Sequence, residues 1–122
     1  MTKVDALRIP DYLSHMLEAL KRIFEYIDDI DEVGFLQNTF AQDAVIRNLE
    51  ILGEASQRLM RYHATFVEQH PEIPWERMYW MRNRISHGYF SIDFEIVWKT
   101  LEQDLPNLQK QIQMLFNHLK SI

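Results

Sequence analysis

The sequence predicts an all-α fold, an antiparallel bundle of four to five helices formed by one domain over residues 1–122. Three observations lead there. Apolar residues recur at alternating steps of four and three over long stretches, which is the spacing of one face of a helix. Three Gly and four Pro provide little material for the many turns of an all-β chain. A hydrophobic fraction of 47% with 25% charged residues in 122 positions suits one compact unit with a single core.

The first helix is written by Ile9, Leu13, Met16, Leu20, Ile23, Ile27 and Ile30, widened by Tyr12, Leu17 and Phe24 into a broad apolar stripe. Pro10 suits its first turn, where a missing N–H breaks no intrahelical bond, and Asp11 lies near the positive end of the helix dipole. The acidic run from Asp28 to Glu32 and then Gly34 read as a frayed end and connector, with a short helical turn through Phe35 to Gln37. Asn38 or Thr39 caps the second helix. That helix runs from about Thr39 into the sixties, with Phe40, Ala44, Val45, Leu49, Leu52, Ala55, Leu59 and Met60 on one side. Gly53 stands inside it. A glycine there costs up to about 1 kcal/mol relative to alanine, so its presence predicts close approach of a neighbouring helix, in the same chain or in a second one.

His70-Pro71-Glu72-Ile73-Pro74 is a loop, because each proline disfavours helix at the residue before it. A third helix follows from Trp75 to Ser86 and is stopped by Gly88. A fourth begins near Ser91 or Ile92 with Asp93 and Glu95 in its first turn, and Leu101, Leu105, Leu108, Ile112, Leu115 and Leu119 continue its stripe. Pro106 lacks the N–H that would bond the Glu102 carbonyl, so it kinks this last helix or divides it in two.

Composition also narrows function. Without cysteine there is neither a disulfide framework nor a thiolate metal site. No apolar run approaches the roughly 18 residues that span a bilayer, and the polar start lacks the layout of a signal peptide, so a cytoplasmic protein without membrane contact is expected. A net charge of -5 argues against a general nucleic-acid binder. Between Arg77 and Ile92, however, Arg77, Arg82 and Arg84 stand without a single acid, a local positive patch that makes Arg77 and Arg84 candidate contacts for phosphates. Glu50 and Glu54 share a helix face but have no Glu-x-x-His complement, so Arg47, Arg58 or a second subunit are their expected partners. His15, His63, His70 and His118 lack ligand spacing and read as solvated or capping side chains. Neither metal nor cofactor is expected.

The segment Met81-Arg82-Asn83-Arg84-Ile85-Ser86-His87-Gly88-Tyr89 carries the chemistry. Arginine presents a planar fork of donors that fits phosphate oxygens, and histidine both takes and gives a proton near neutrality. Helical register puts Asn83 and His87 about 40° apart on one face, whereas Arg82 and His87 are about 140° apart. An early unwinding before Gly88, the reach of Arg82, or two copies of the motif facing each other would each close that gap. His87 near a helix C-terminus feels the negative pole of the helix dipole, which favours the imidazolium and suits an acid as well as a base. This set of groups can do phosphate chemistry: His87 for proton transfer, Arg82 for the charge of a phosphorane, and Asn83 to orient phosphate or imidazole.

Written R-N-x3-H-x-Y, this segment resembles the signature of the HEPN ribonuclease superfamily in its HepT-like branch, small prokaryotic toxins paired with a minimal nucleotidyltransferase antitoxin. The block from Gln42 to Ala55 and the block from Asp93 to Trp98 look like HepT-like sequence as well, so the resemblance covers nearly the whole chain. It implies an endoribonuclease toxin acting on tRNA or mRNA, with Arg82 and His87 catalytic in a composite site at a homodimer interface. It also implies silencing by transfer of AMP onto Tyr89 by the cognate nucleotidyltransferase, with a larger hetero-oligomer as a further outcome. The alternative with the same fold is a non-catalytic partner that presents substrate or nucleotide to the nucleotidyltransferase. A plain dimerisation bundle is the third reading, and it leaves the arginine patch beside His87 without a purpose.

Overall fold

The computed structural model describes residues 7–87 and 91–121, apart from the side chains of Ser86 and His87. Among the described residues there are seven helices and no strand: α1 (Ile9–Ile27), α2 (Glu32–Leu36), α3 (Thr39–Tyr62), α4 (Ala64–Glu68), α5 (Trp75–His87), α6 (Phe94–Gln103) and α7 (Leu105–Lys120). The helical class and the bundle architecture expected from the apolar stripes are what the chain adopts. No described helix is long and apolar enough to cross a membrane.

Capping chemistry sets most of the boundaries. Asp31 accepts from Gly34 N at 2.9 Å and starts α2, and Asn38, rather than Thr39, accepts from Ala41 N at 3.0 Å to start α3. Asp93 accepts from the Glu95 and Ile96 amides at 3.0 and 3.3 Å, so α6 begins at Phe94 and Asp93 is its cap, not part of its first turn. α1 has no side-chain cap on its N-terminus. Its entry is tied down instead by Leu7, whose amide donates to Tyr12 Oη at 3.0 Å and whose carbonyl lies 2.8 Å from His63 Nε2 at the far end of α3. The disturbance expected at Pro106 takes the form of a break: α6 stops before Asp104, α7 restarts at Leu105, and Pro106 sits in the first turn where no N–H is needed.

α3 is the hub, with α1 and α5 packed on it most extensively, α7 against α1, and α6 linking α7 to α2. Leu13, Met16, Leu20 and Ile23 of α1 meet Val45, Leu49, Leu52 and Leu59 of α3 in a core that also takes in Phe35, Leu101 and Ile112. Polar groups inside it are tethered to backbone. Gln42 Nε2 donates to the Phe35 carbonyl at 3.0 Å, and the Ser56 hydroxyl donates to the Trp75 carbonyl at 2.6 Å, pinning the start of α5 to the middle of α3.

Two features depart from the sequence reading. Phe40 is 88% exposed although it fits the apolar stripe of α3, because one residue turns the helix by about 100° and it is Ala41 and Gln42 that face inward. The stretch before Pro71 folds into the short α4, whose Phe66 is buried 4.7 Å from the His70 ring and 6.3 Å from the Trp75 ring. With Trp75 Nε1 donating to the His70 carbonyl at 2.9 Å, this connection delivers α5 to α3 in a fixed register.

Leu52 has no exposed surface, so Leu52→Ala should lower the unfolding free energy by roughly 2–5 kcal/mol, and Asn38→Ala by about 1 kcal/mol through loss of the cap. Urea denaturation with an unchanged slope checks both. A Leu52→Ala loss below that of Asn38→Ala would contradict the placement of the core.

Candidate active site

The motif helix α5 lies along α3 with Trp75, Met78 and Ile85 buried. Arg82 belongs to the same side. A Cβ placed on Gly53 would stand 2.6 Å from the Met78 carbonyl oxygen and 3.0 Å from Arg82 Cγ, and would run into Arg82 Cβ. The glycine in mid-helix is thus explained by close approach of α5 within the same chain. Only a hydrogen fits between α3 and the stem of Arg82.

From this position the Arg82 guanidinium turns to the residue after Gly53. Arg82 Nη2 lies 4.0 Å from Glu54 Oε1, an ion pair beyond hydrogen-bond length, with the two side chains 30% and 50% exposed. The pairing shown for Glu54 is with Arg82, a residue the sequence did not offer as its partner. Sequence reading passed over Glu54 as a site residue. The available signal was its position directly after a helix-interior glycine that local propensity does not favour.

The positive patch divides in space. Arg84 is two residues from Arg82, about 160° round the helix when measured the short way, and it lines the other side of α5 together with Arg77. There α5, α6 and α7 enclose a cleft of about 430 Å³ with an apolar floor that includes Met81, Ile85, Val97 and Leu108. Asp93 and Asp104 also line it, and Arg77 Nη2 is 3.7 Å from Asp104 Oδ2. The acid-free stretch of sequence thus meets its acids across the cleft. Trp80 and Ile96, at 57% and 58% exposure, form an open apolar margin.

Asn83 is half-buried on the side of α5 that also carries Trp80, and position 87 follows on that side at i+4. α5 stays helical through His87, its last residue. Unwinding before Gly88 therefore does not bring Arg82 and His87 together, and their positions remain about 140° apart round the axis. The His87 side chain and Tyr89 lie outside the described residues. The structure thus gathers Arg82, Gly53 and Glu54 on the α3 edge, Arg77 and Arg84 in the cleft, and Asn83 with Trp80 on the outer side between them.

A helical bundle whose second long helix seats an arginine at the head of an Arg-Asn-x3-His segment defines a class of small α-helical proteins with a candidate phosphate-handling site. The ribonuclease HepT-like family model matches residues 16–115, and the chain belongs to that family. It is 41% identical over 105 residues to a protein of Thermococcus cleftensis named probable ribonuclease HepT, covering 86% of this chain and 93% of the relative. A Methanocaldococcus jannaschii protein is 36% identical over 104 residues, with 85% of this chain and 93% of the relative covered. A protein of Caldanaerobacter subterraneus is 31% identical over 109 residues, with 89% and 95% covered, and both of these carry the name RNase by inference. No solved structure matches the chain.

Alanine at position 53 raises helix propensity by about 1 kcal/mol, yet its Cβ meets backbone on α5. Gly53→Ala should therefore destabilise the protein, by about 1–3 kcal/mol as in other overpacked contacts, in thermal or urea unfolding. A more stable Gly53→Ala protein would contradict the close α3–α5 contact.

Proposed function

We propose that this protein is a metal-independent endoribonuclease toxin, built as a homodimer whose two composite sites each pair Arg82 of one copy with His87 of the other. The observation that carries this reading is the seating of Arg82 on α3, which keeps it on a different side of α5 from its own His87 while the Arg82-Asn83 and His87 elements of the family motif are both present. Trp80, Asn83 and position 87 stand at i, i+3 and i+7, one continuous stripe of α5. A second copy laid on this stripe covers the open Trp80 and sets the two motif helices face to face.

The chemistry follows from the residue types. His87 removes the proton from a ribose 2′-hydroxyl, the freed oxygen attacks the adjacent phosphorus, and the P–O5′ bond breaks as the leaving oxygen takes a proton. The products are a 2′,3′-cyclic phosphate and a 5′-hydroxyl. Arg82 stabilises the extra charge on the phosphorane and Asn83 orients the phosphate or the imidazole, while Arg84 and Arg77 hold flanking phosphates of a tRNA or mRNA substrate. Tyr89, two residues past His87, is the acceptor for AMP from a cognate nucleotidyltransferase antitoxin. The added phosphate places negative charge and bulk where the RNA backbone binds, which silences the toxin. The antitoxin and the homodimer together form a larger hetero-oligomer in this reading, and the protein works in the cytoplasm.

His87→Ala should abolish cleavage of end-labelled tRNA and mRNA in excess EDTA, by at least about 100-fold, while the thermal melt stays in place. Wild-type protein should leave cyclic-phosphate ends. An active His87→Ala enzyme would remove the mechanism, and a wild type that cuts no RNA with Tyr89 shown unmodified by mass spectrometry would shift the reading to the non-catalytic partner. Trp80→Glu should convert a dimer to a monomer in sedimentation and lose cleavage with it; a fully active monomer would contradict the composite site. Arg84→Ala should weaken RNA binding and flatten its salt dependence more than Arg77→Ala, because Arg77 already faces Asp104.

A further inference from the structure

We infer that Glu54 is a positioning residue for Arg82, and that the Gly53–Glu54 step of α3 is a seat that aims the guanidinium at the scissile phosphate. The inference rests on the ribonuclease reading above and adds to it a residue outside the motif.

The seat has two parts. Gly53 lets the stem in: Met78 O and Arg82 Cγ lie 2.6 and 3.0 Å from where a Cβ would stand, so only a glycine allows α5 to pack this closely with the Arg82 stem against α3. Glu54 acts on the other end. Its carboxylate faces Nη2 at 4.0 Å and engages one corner of a group that has five N–H donors, so the remaining edge stays open to phosphate oxygens.

Stability does not account for this pair. Both side chains are partly exposed, the separation exceeds a hydrogen bond, and exposed ion pairs of this kind add little to folding. Its effect is on orientation and local charge. Arginine has a long stem with many rotamers, and a charged group displaced by about 1 Å can lower a rate on the order of 100-fold. A carboxylate beside the phosphate site also repels the RNA backbone. Glu54 therefore weakens ground-state binding while holding Arg82 where the phosphorane forms. Turnover and affinity then move in opposite directions when its charge is removed, which a merely structural role would not produce.

The test is a double-mutant cycle on the full-length protein, read by two assays. Glu54→Gln should lower kcat about tenfold without raising KM. It should also tighten binding of a 2′-O-methyl RNA oligonucleotide, which cannot be cleaved, by about two- to threefold at low salt in fluorescence anisotropy. The Arg82→Ala protein does not turn over, so the cycle is closed on binding: in that background Glu54→Gln should tighten the oligonucleotide by less than it does in the wild type, leaving only the direct repulsion of the RNA. Glu54→Asp keeps the charge on a shorter arm and should recover part of kcat. The inference is overturned if Glu54→Gln leaves both assays unchanged, if it tightens binding as much in the Arg82→Ala background as in the wild type, or if the loss of kcat follows a loss of folded protein in the thermal melt. Absence of cleavage by the wild type would instead count against the ribonuclease reading, and the binding cycle would still decide whether Glu54 and Arg82 are coupled.

Discussion

α5 leaves room for nothing larger than hydrogen at position 53 of α3, and the placing of the motif helix rests on that close contact together with its wider packing on α3. The contact is made by the Met78 carbonyl and the Arg82 stem, so it sets how close α5 comes to α3 and which of its sides faces inward. Ser56, one turn further along α3, fixes the start of α5 through the Trp75 carbonyl, so two points three residues apart set both the azimuth and the register of the helix. Met78 and Ile85 then face inward, Arg82 takes the α3 edge, and Trp80 with Asn83 takes the outer side. The motif is read by the bundle before any substrate is present.

That geometry bears on how an acidic protein handles a polyanion. The chain carries a net charge of -5, and two of the three arginines around the motif face a carboxylate, Arg77 at Asp104 and Arg82 at Glu54. Broad electrostatic capture of RNA is weak under such conditions, and the counterion-release gain of a basic face is small. What remains is local. A guanidinium held in place and partly neutralised discriminates by position more than by charge, which suits the phosphorane-stabilising role proposed for Arg82. The same sparsity fits the proposed silencing at Tyr89, since a single added phosphate would change the local balance by an amount comparable to one of these arginines.

Much of this was legible in the sequence, for physical reasons that differ by element. The stripes of α1, α3 and α7 are long enough for the four-and-three spacing to be unambiguous, and Asn38 and Pro74 mark boundaries through chemistry that acts within a few residues. Gly53 announced a close helix contact because glycine is disfavoured in mid-helix without one. α4 escaped notice because five residues hold barely more than one helical turn, too short for a period to show. Phe40 misled because it stands at the edge of the stripe, and the next positions, Ala41 and Gln42, take the inward side. The register of Arg82 and Asn83 on α5 was legible from the helical spacing, whereas the pairing of Arg82 with Glu54 was not, since these residues stand 28 apart in sequence and meet only through the packing of α5 on α3. Likewise Asp104 reaches Arg77 only after the break before Pro106 brings α7 alongside the cleft.

The central claim is that a working site takes Arg82 from one copy and His87 from the other. Subunit mixing tests it most directly. Arg82→Ala and His87→Ala proteins, each inactive alone, are combined under conditions that exchange subunits, and RNA cleavage is measured in excess EDTA. A mixed dimer retains one intact pairing, Arg82 from the His87→Ala chain and His87 from the Arg82→Ala chain, so the account predicts that cleavage returns on mixing. If subunits exchange and no cleavage returns, both residues must act from the same chain, and the composite site is wrong.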